Sequence, residues 1–191
     1  MNLSATFRYV NAKLSGEKGL NRFAWDLRQK GPWHKNMKRR FKNGPMVAPG
    51  SYTVRLTVGD QVLTQKFEVM ADPRVTADGM TPELFEQQRQ MQQQVITLMN
   101  EARQLEDQLE KEVKNLEDKV SSENDVQLEK VKAILIQLKN DEGAYPQQMM
   151  VAQISYLYYM VSGTDQKIGN DVKLRLTELQ NQFQKLKSKL Q

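Results

Sequence analysis

The sequence of 191 residues contains no cysteine, a single histidine and no long hydrophobic run. The lack of cysteine excludes disulfides, thiolate metal sites and thiol nucleophiles. His34 alone, with no cysteine in the chain, cannot build a closed zinc site. No apolar stretch approaches the ~20 residues that a membrane-spanning helix needs. The sequence therefore predicts no metal site, no cofactor and no membrane span.

Motifs of the common catalytic classes are missing as well. There is no glycine-rich phosphate-binding loop and no nucleophile elbow. Asp26 and Asp60 lie near the predicted strands, and we interpret Asp26 as an acceptor for local backbone donors and Asp60 as a turn residue. Glu106, Glu110 and the other acids of the first long helix are interleaved with lysines, which predicts a solvated face. No residue is predicted to be catalytic.

Charge is divided unevenly along the chain. Residues 1–80 carry 14 Lys and Arg against 6 Asp and Glu, whereas residues 81–191 carry 14 against 17. The resulting net charges, +8 and −3, indicate a boundary near residue 80. We expect two small domains, a partial immunoglobulin-like β-sandwich over residues 1–72 and an α-helical bundle over 81–191, with a linker at 73–80.

The first domain shows the alternation of apolar and polar residues that is typical of strands. Candidate strands cover residues 5–9, 23–28 and 51–58, and Gly59-Asp60 predicts a tight turn into one more strand. These make about four strands, short of the ~7 of a complete immunoglobulin-type sandwich, so we expect further strands upstream. The predicted core of this antiparallel, partial sandwich consists of Phe23, Trp25, Tyr52, Leu56 and Phe67.

The second domain reads as helix. Thr81-Pro82-Glu83 is a strong helix start, and an apolar stripe follows it as far as Val120. Shorter stripes follow over residues 128–138, 146–161 and 172–190, the second of them beginning at Pro146. Because each helix has a single apolar face, we expect an antiparallel bundle of three or four α-helices, with an extended coiled coil as the alternative. The fold class is therefore α+β, and the long first helix offers a surface for a homodimer.

A basic loop separates two of the predicted strands. Its candidate binding residues are Arg28, Lys30, Trp33, Lys35, Lys38, Arg39, Arg40 and Lys42. Such a run can hold an acidic polysaccharide or a nucleic acid by counterion release, while the aromatic rings stack on sugars or bases. A solubilising excursion, or contact with a partner domain, explains it equally well. Nucleic acid ranks last, because no recognised nucleic-acid motif accompanies the charge.

Tyrosines cluster on and before the third predicted helix, at positions 145, 156, 158 and 159. Their helical spacing indicates packing first and sugar binding second. Tyr156 and Tyr159 are predicted to place their rings where two helices meet.

Four segments, residues 19–28, 44–45, 48–58 and 72–74, resemble the C-terminal region of large secreted bacterial sortilin-like or glycosyl-hydrolase proteins with bacterial neuraminidase repeats. They contain Trp25-Asp26-Leu27-Arg28, Ala48-Pro49-Gly50 and Asp72-Pro73-Arg74. The tryptophan-aspartate strand is also similar to the small sandwich of flagellar hook-cap proteins, and the stretch from Tyr145 to Tyr158 is similar to the helical tail of the propeller family.

The resemblance implies a non-catalytic C-terminal module that docks beside the β-propellers of a larger exported protein. A periplasmic or extracellular location follows from it, although residues 1–20 lack the apolar core of a secretory signal. Because the Ser-x-Asp-x-Gly-x-x-Trp repeats are absent here, no glycosidase activity is carried over to any residue. The alternative is a part of a glycan-processing hydrolase whose active site lies in upstream domains.

Overall fold

The computed structural model describes residues 3–7, 10–13, 15–118, 122–140 and 145–190. Over these ranges the chain has an α+β fold in which four strands precede five helices. This confirms the predicted α+β class, whereas a sandwich is not shown, because the described strands form a single sheet. None of the helices in the described ranges combines the length and the apolar character needed to cross a membrane.

The described strands lie in one antiparallel sheet. They are β1 (Leu3–Phe7), β2 (Val10–Lys13), β3 (Gly50–Val58) and β4 (Gln61–Val69). Their order across the sheet is β2-β1-β3-β4. The candidate strand over residues 5–9 thus starts earlier than predicted, and Tyr9 lies outside the described residues.

The hairpin of β3 and β4 confirms the prediction made from the alternation. Tyr52 pairs with Phe67 and Leu56 with Leu63, so these four side chains share one face of the sheet. Gly59 has a φ of 58°, which glycine adopts without strain at the first position of a two-residue hairpin loop.

The candidate strand over residues 23–28 is wrong. This segment forms no regular strand, and its only described bridge joins Arg28 to Met46. Asp26 Oδ1 accepts a hydrogen bond from Arg28 N at 3.1 Å, while Leu27 adopts a φ of 60°. The local turn around Asp26 therefore competes successfully with extended backbone, and it confirms Asp26 as a backbone acceptor.

Five helices follow the sheet. They are α1 (Pro73–Ala77), α2 (Pro82–Glu117), α3 (Ser122–Leu138), α4 (Met150–Ser162) and α5 (Asn170–Ser188). The predicted start of the long helix is confirmed, because Thr81 is the N-cap and its side chain accepts a hydrogen bond from Leu84 N, with Pro82 in the first turn. Val120, the predicted end of its stripe, lies outside the described residues.

Two boundaries differ from the prediction. The expected linker at 73–80 contains α1, whose N-cap Asp72 accepts a hydrogen bond from Arg74 N. The third predicted helix begins at Met150 and not at Pro146, because Met149 is extended and its N–H donates to Asn140 Oδ1 at 2.8 Å. The division into domains at 1–72 and 81–191 stays a prediction.

The long helices bury their apolar stripes against one another. Arg103 of α2 contacts Ser155 of α4, and Gln88 contacts Val161, so α4 runs antiparallel to α2. The largest fully buried side chains of the common core are Val95, Met99, Val131, Leu138, Ile154, Val161, Leu179 and Phe183. The four long helices therefore share one hydrophobic core.

Candidate functional site

Backbone hydrogen bonds hold the two arms of the basic loop (residues 28–42) and the residues that follow it close together. Gln29 N donates to Pro45 O at 2.8 Å, and Gly31 N donates to Phe41 O at 2.9 Å. The backbones approach so closely that a Cβ on Gly31 would lie 2.0 Å from Lys42 O. Glycine is therefore required there, and the loop has a defined shape.

The loop is docked on the helical bundle. Asn100 Oδ1 accepts a hydrogen bond from Trp33 N at 2.6 Å, and Arg103 Nη1 donates to Trp33 O at 3.0 Å. Tyr158 donates its hydroxyl hydrogen to Asn43 O at 2.5 Å, just beyond the loop. Residues of α2 and α4 thus clamp the loop at two places, and the predicted excursion is a structural connection between sheet and bundle.

Arg103 is the central residue of this clamp. Its second nitrogen, Nη2, donates to Ser155 Oγ at 3.2 Å, so one guanidinium joins α2, α4 and the loop. Burial lowers the pKa of Arg103 from its ordinary value, and burial raises the pKa of the neighbouring Tyr158 to about 12. Both pKa shifts arise because this contact is partly shielded from water. Hydrogen bonds that involve a charged group are strong in such surroundings.

An ionic cluster holds the side of the loop. Lys35 Nζ lies 2.6 Å from Glu110 Oε2 and 4.0 Å from Glu106 Oε1, and Lys139 Nζ lies 3.0 Å from Glu110 Oε1. Burial raises the pKa of Glu106. Burial also opposes ionisation of Glu110, yet hydrogen bonds from Lys35 and Lys139 hold its pKa below the ordinary value. The prediction that these two acids belong to a solvated face is therefore wrong.

Other cations of the loop make contacts within the loop itself. Arg28 Nη1 donates to Gly44 O at 2.9 Å, and Lys30 Nζ lies 3.7 Å from the centre of the Phe41 ring. Arg40 Nε donates to His34 O at 2.9 Å, and its guanidinium lies 5.0 Å from the centre of the Trp33 ring. The predicted aromatic residue Trp33, and Phe41 beside it, thus both contact cations of the same loop.

Five predicted binding residues remain open to solvent, and two of them, Lys30 and Lys35, make the contacts described above. Lys38, Arg39 and Lys42 are exposed, and no salt bridge joins them to an acid among the described residues. The exposed cations that lack a salt bridge or ring contact among the described residues are therefore these three, fewer than the sequence indicates.

His34 lies at the base of this exposed tip. Its Nδ1 accepts a hydrogen bond from Asn36 N at 2.9 Å, which requires an unprotonated Nδ1. Burial lowers the pKa of His34, and the positive charges of Arg103, Arg39, Lys35 and Arg40 lower it further. The imidazole is therefore held in its neutral form.

A second candidate surface is the apolar face of the hairpin (Tyr52, Val54, Leu56, Leu63 and Phe67). Trp25 covers one end of it, with its ring centre 6.1 Å from that of Tyr52 and 6.2 Å from that of Phe67. The other end is open, since Val54, Leu56 and Leu63 expose 45%, 36% and 61% of their surface.

The predicted core of the first domain is therefore only partly confirmed. Trp25, Tyr52 and Phe67 form an aromatic cluster, whereas Phe23 and Leu56 are exposed. The reason is that Phe23 lies outside any strand, and that no described element covers the apolar face beyond the indole of Trp25.

Sequence reasoning missed the residues that fix the loop and α4 on α2. Asn100 and Arg103 give no signal of their own in the helical stripe, since polar residues beside a stripe usually face water. Gln88 Nε2 donates to Val161 O at 3.0 Å and to Thr164 O at 2.6 Å, satisfying carbonyls at the C-terminal end of α4.

The tyrosine prediction is wrong for Tyr156 and Tyr159, which are exposed.

The described residues offer no enclosed ligand cavity at either surface. Two shallow grooves of about 380 and 280 Å³ lie between α2 and α5 and are lined by glutamines. No group of three or more His, Asp or Glu side chains within the described ranges could hold a metal ion.

Comparison with known proteins found no matching family model, no matching curated protein and no matching solved structure.

Proposed function

We propose that the chain is a non-catalytic association module of a larger exported protein, and that it docks its sheet on the β-propeller part of the same polypeptide. The observation that supports this most directly is the open apolar face of the hairpin. The family resemblance adds the expected context, an exported propeller protein with a sandwich and a helical tail at its C-terminal end.

The patterning of the hairpin supports a covered surface. The apolar face carries Tyr52, Val54 and Leu56, whereas the opposite face of β3 carries Ser51, Thr53 and Arg55. An antiparallel sheet with one apolar and one polar face normally buries the apolar one. We propose that strands of the upstream part complete the second layer, so that the sheet becomes one half of a sandwich.

The docked loop gives such a module mechanical strength. Arg103 and Asn100 bind the backbone of Trp33, and Tyr158 binds Asn43 O, so the loop that precedes β3 is tied to the bundle. Force or motion that reaches the sheet is thereby transmitted to α2 and α4. The bundle then serves as a rigid spacer behind the docking face.

A non-catalytic role fits the positions of the acids near the sheet. Asp26 accepts a local backbone hydrogen bond, and Asp60 occupies the hairpin turn. A glycosidase needs two carboxyl groups about 5 to 10 Å apart across a cleft. Glu106 and Glu110 lie beside the docked loop, where Lys35 and Lys139 occupy them as ion-pair partners.

Site-specific photo-crosslinking in the intact gene product tests the proposal. A photoreactive phenylalanine analogue replaces Leu63 on the apolar face or, as the matched control, Thr64, which is also exposed but points to the opposite face. We expect the probe at Leu63 to form a crosslink within the same polypeptide, identified by peptide mass spectrometry at an upstream β-domain. The probe at Thr64 forms none.

Equal crosslinking from both positions, or none from Leu63, would contradict docking through this face. Hydrolysis of aryl glycosides by the purified chain would separately overturn the non-catalytic role. The two results are independent, because the first concerns a surface and the second a reaction.

Polyanion binding is the second candidate, and the exposed cations at the tip of the loop favour it. Neutralising Lys38, Arg39 and Lys42 to glutamine should abolish salt-sensitive retention on heparin if an acidic polysaccharide binds here. A matched triple variant at the exposed cations Lys173 and Lys185 of α5 and Lys189 at its C-cap carries the same change in net charge. Equal loss of retention in both variants would indicate a non-specific charge effect.

A further inference from the structure

β4 is one of the two outer strands of the described sheet, with β2 at the opposite edge. In the order β2-β1-β3-β4 it has a neighbour on one side only, and its 9 residues contain neither proline nor glycine. Natural proteins usually protect such an edge with proline, a bulge or a covering element, because unpaired backbone groups recruit another strand. β4 has only the charged residues Lys66 and Glu68 as such protection, so an edge of this length can accept a strand whose charges match.

The direction of the backbone groups along β4 follows from the hairpin. The pair Val58–Gln61 closes the two-residue loop, and such a pair exchanges both of its backbone hydrogen bonds. Because the direction alternates along a strand, the N–H and C=O groups of Lys66 and Glu68 point away from β3. Gln65 Nε2 donates to Lys66 O at 3.2 Å, at an exposed site where the second lone pair of this carbonyl can still accept. No backbone partner is found for these outward groups among the described residues, so they can pair with a further strand.

We infer that β4 pairs edge to edge and antiparallel with β4 of a second copy of this chain, with Phe67 on the two-fold axis. In this register Lys66 lies opposite Glu68 of the second copy, and the same pair occurs again by symmetry. Both residues are exposed in the single chain. Opposite charges directly across two strands stabilise their pairing, so the edge is complementary to itself.

The residues around this pair support the register. Phe67 faces Phe67 of the second copy at a position without backbone hydrogen bonds, where side chains approach most closely. The aromatic cluster with Trp25 and Tyr52 thereby continues across the axis. Met70, which is almost fully exposed in the single chain, lies opposite Thr64 and loses contact with water.

The same charges give the pairing its specificity. Lys66 alone would disfavour pairing with most strands, since a lysine on an edge strand is a common means of preventing association. Glu68, two residues further on the same face, matches it only in an antiparallel partner with the same spacing. The edge is a different surface from the apolar face, so this pairing does not depend on the docking proposed above.

Charge exchange on the purified 191-residue chain tests the inference. Analytical ultracentrifugation over a range of concentrations should show a dimer of the parent chain. Lys66→Glu places two glutamates opposite each other, and Glu68→Lys does the same with two lysines, so each variant should dimerise on the order of tenfold more weakly. Arg55→Glu, on the same face but on the inner strand β3, is the matched control and should leave the dimer unchanged.

Mixing the two single variants gives the sharpest result. A Lys66→Glu chain and a Glu68→Lys chain restore both opposite-charge pairs when they meet, so the mixture should form a heterodimer although each variant alone is weakened. The double variant should pair with itself but not with the parent chain. Circular dichroism confirms that all variants keep the fold.

A parent chain that stays monomeric at every concentration would overturn the inference. So would a dimer that the single variants do not weaken, because it would then use another surface such as α2. Failure of the mixed variants to associate would equally exclude this register.

Discussion

The sheet and the bundle differ in how far their apolar side chains are buried. In the bundle the apolar stripes meet one another, and Phe183 exposes only 1% of its surface, whereas Leu63 in the hairpin exposes 61%. Both parts show an apolar periodicity that their folded elements follow. The difference teaches that a regular pattern predicts which face is meant to be covered, but not whether the same chain covers it.

The two parts are also joined in an unexpected way. Of the cations of the basic loop, Lys35 lies at the contact between them and pairs with Glu110 of α2, while Arg103 of α2 binds the loop backbone. A small share of the uneven charge therefore has a structural use, because Lys35 of the first part pairs with acids of the second. Such complementary charges fix the orientation of two units more than they add to their affinity.

Removing a buried ring from the bundle should have the largest effect. Phe183→Ala leaves a cavity in the common core, and we expect the free energy of unfolding to fall by about 3–5 kcal/mol. Leu63→Ala in the hairpin removes an exposed side chain and should cost less than about 0.5 kcal/mol. Urea unfolding followed by circular dichroism measures both.

Phe183→Leu is the milder control for this comparison and should cost about half as much as the alanine variant. If Leu63→Ala destabilises the chain as strongly as Phe183→Ala, the hairpin face is buried in solution and the contrast between the two parts does not hold.

Breaking the clamp should have the next largest effect. Arg103→Met removes the charged donor that binds Trp33 O and Ser155, and we expect a loss of about 2 kcal/mol. Because the freed loop exposes Lys38 and Arg39 in an irregular segment, trypsin should cleave there on the order of tenfold faster. Mass spectrometry of the fragments identifies the cut.

Arg89→Met is the matched control on the same helix. Its guanidinium pairs with Glu86 one turn away, on a surface where such a pair contributes about 0.5 kcal/mol or less. Equal cleavage of the loop in the two variants would show that Arg103 does not hold it.

The regular elements could be predicted from the sequence because their signals are local. Alternation over residues 51–58, the glycine turn at Gly59 and the cap at Thr81 act within a few residues, and the hairpin and α2 follow from them. The turn around Asp26 also depends on nearby residues only. The alternation of apolar and polar residues, however, does not predict that Leu27 adopts a positive φ.

The contacts that form the candidate site could not be predicted in this way. Lys35 meets Glu110, and Trp33 meets Asn100, over separations of 75 and 67 residues. Periodicity places Glu110 and Asn100 beside the apolar stripe, where side chains usually face water, and it carries no information on a distant loop. Charge asymmetry between the two parts was the one signal that could have suggested the docking.

The smallest predicted effect concerns the pH response of the loop. The pKa of His34 is lower in the folded chain than its ordinary 6.5, so the unfolded chain binds more protons as the pH falls below about 6.5. Stability contributed by neutral His34 is complete above that pH and is lost as the pH falls towards the lower folded pKa. Protonation also breaks the hydrogen bond that Nδ1 accepts from Asn36 N.

His34→Asn isolates this response, because an amide oxygen can accept the same hydrogen bond without titrating. Tryptic cleavage of the parent loop should quicken as the pH falls from about 7 to about 5.5, relative to an unstructured reference peptide, and in the variant it should not. Asp72 and Glu86, whose pKa values are about 2 because of Arg74 and Arg89, act only below about pH 4. Glu106, with its raised pKa, favours the folded chain as the pH falls, so its contribution has the opposite sign. An unchanged pH profile in His34→Asn would therefore show that the imidazole does not control the docking of the loop.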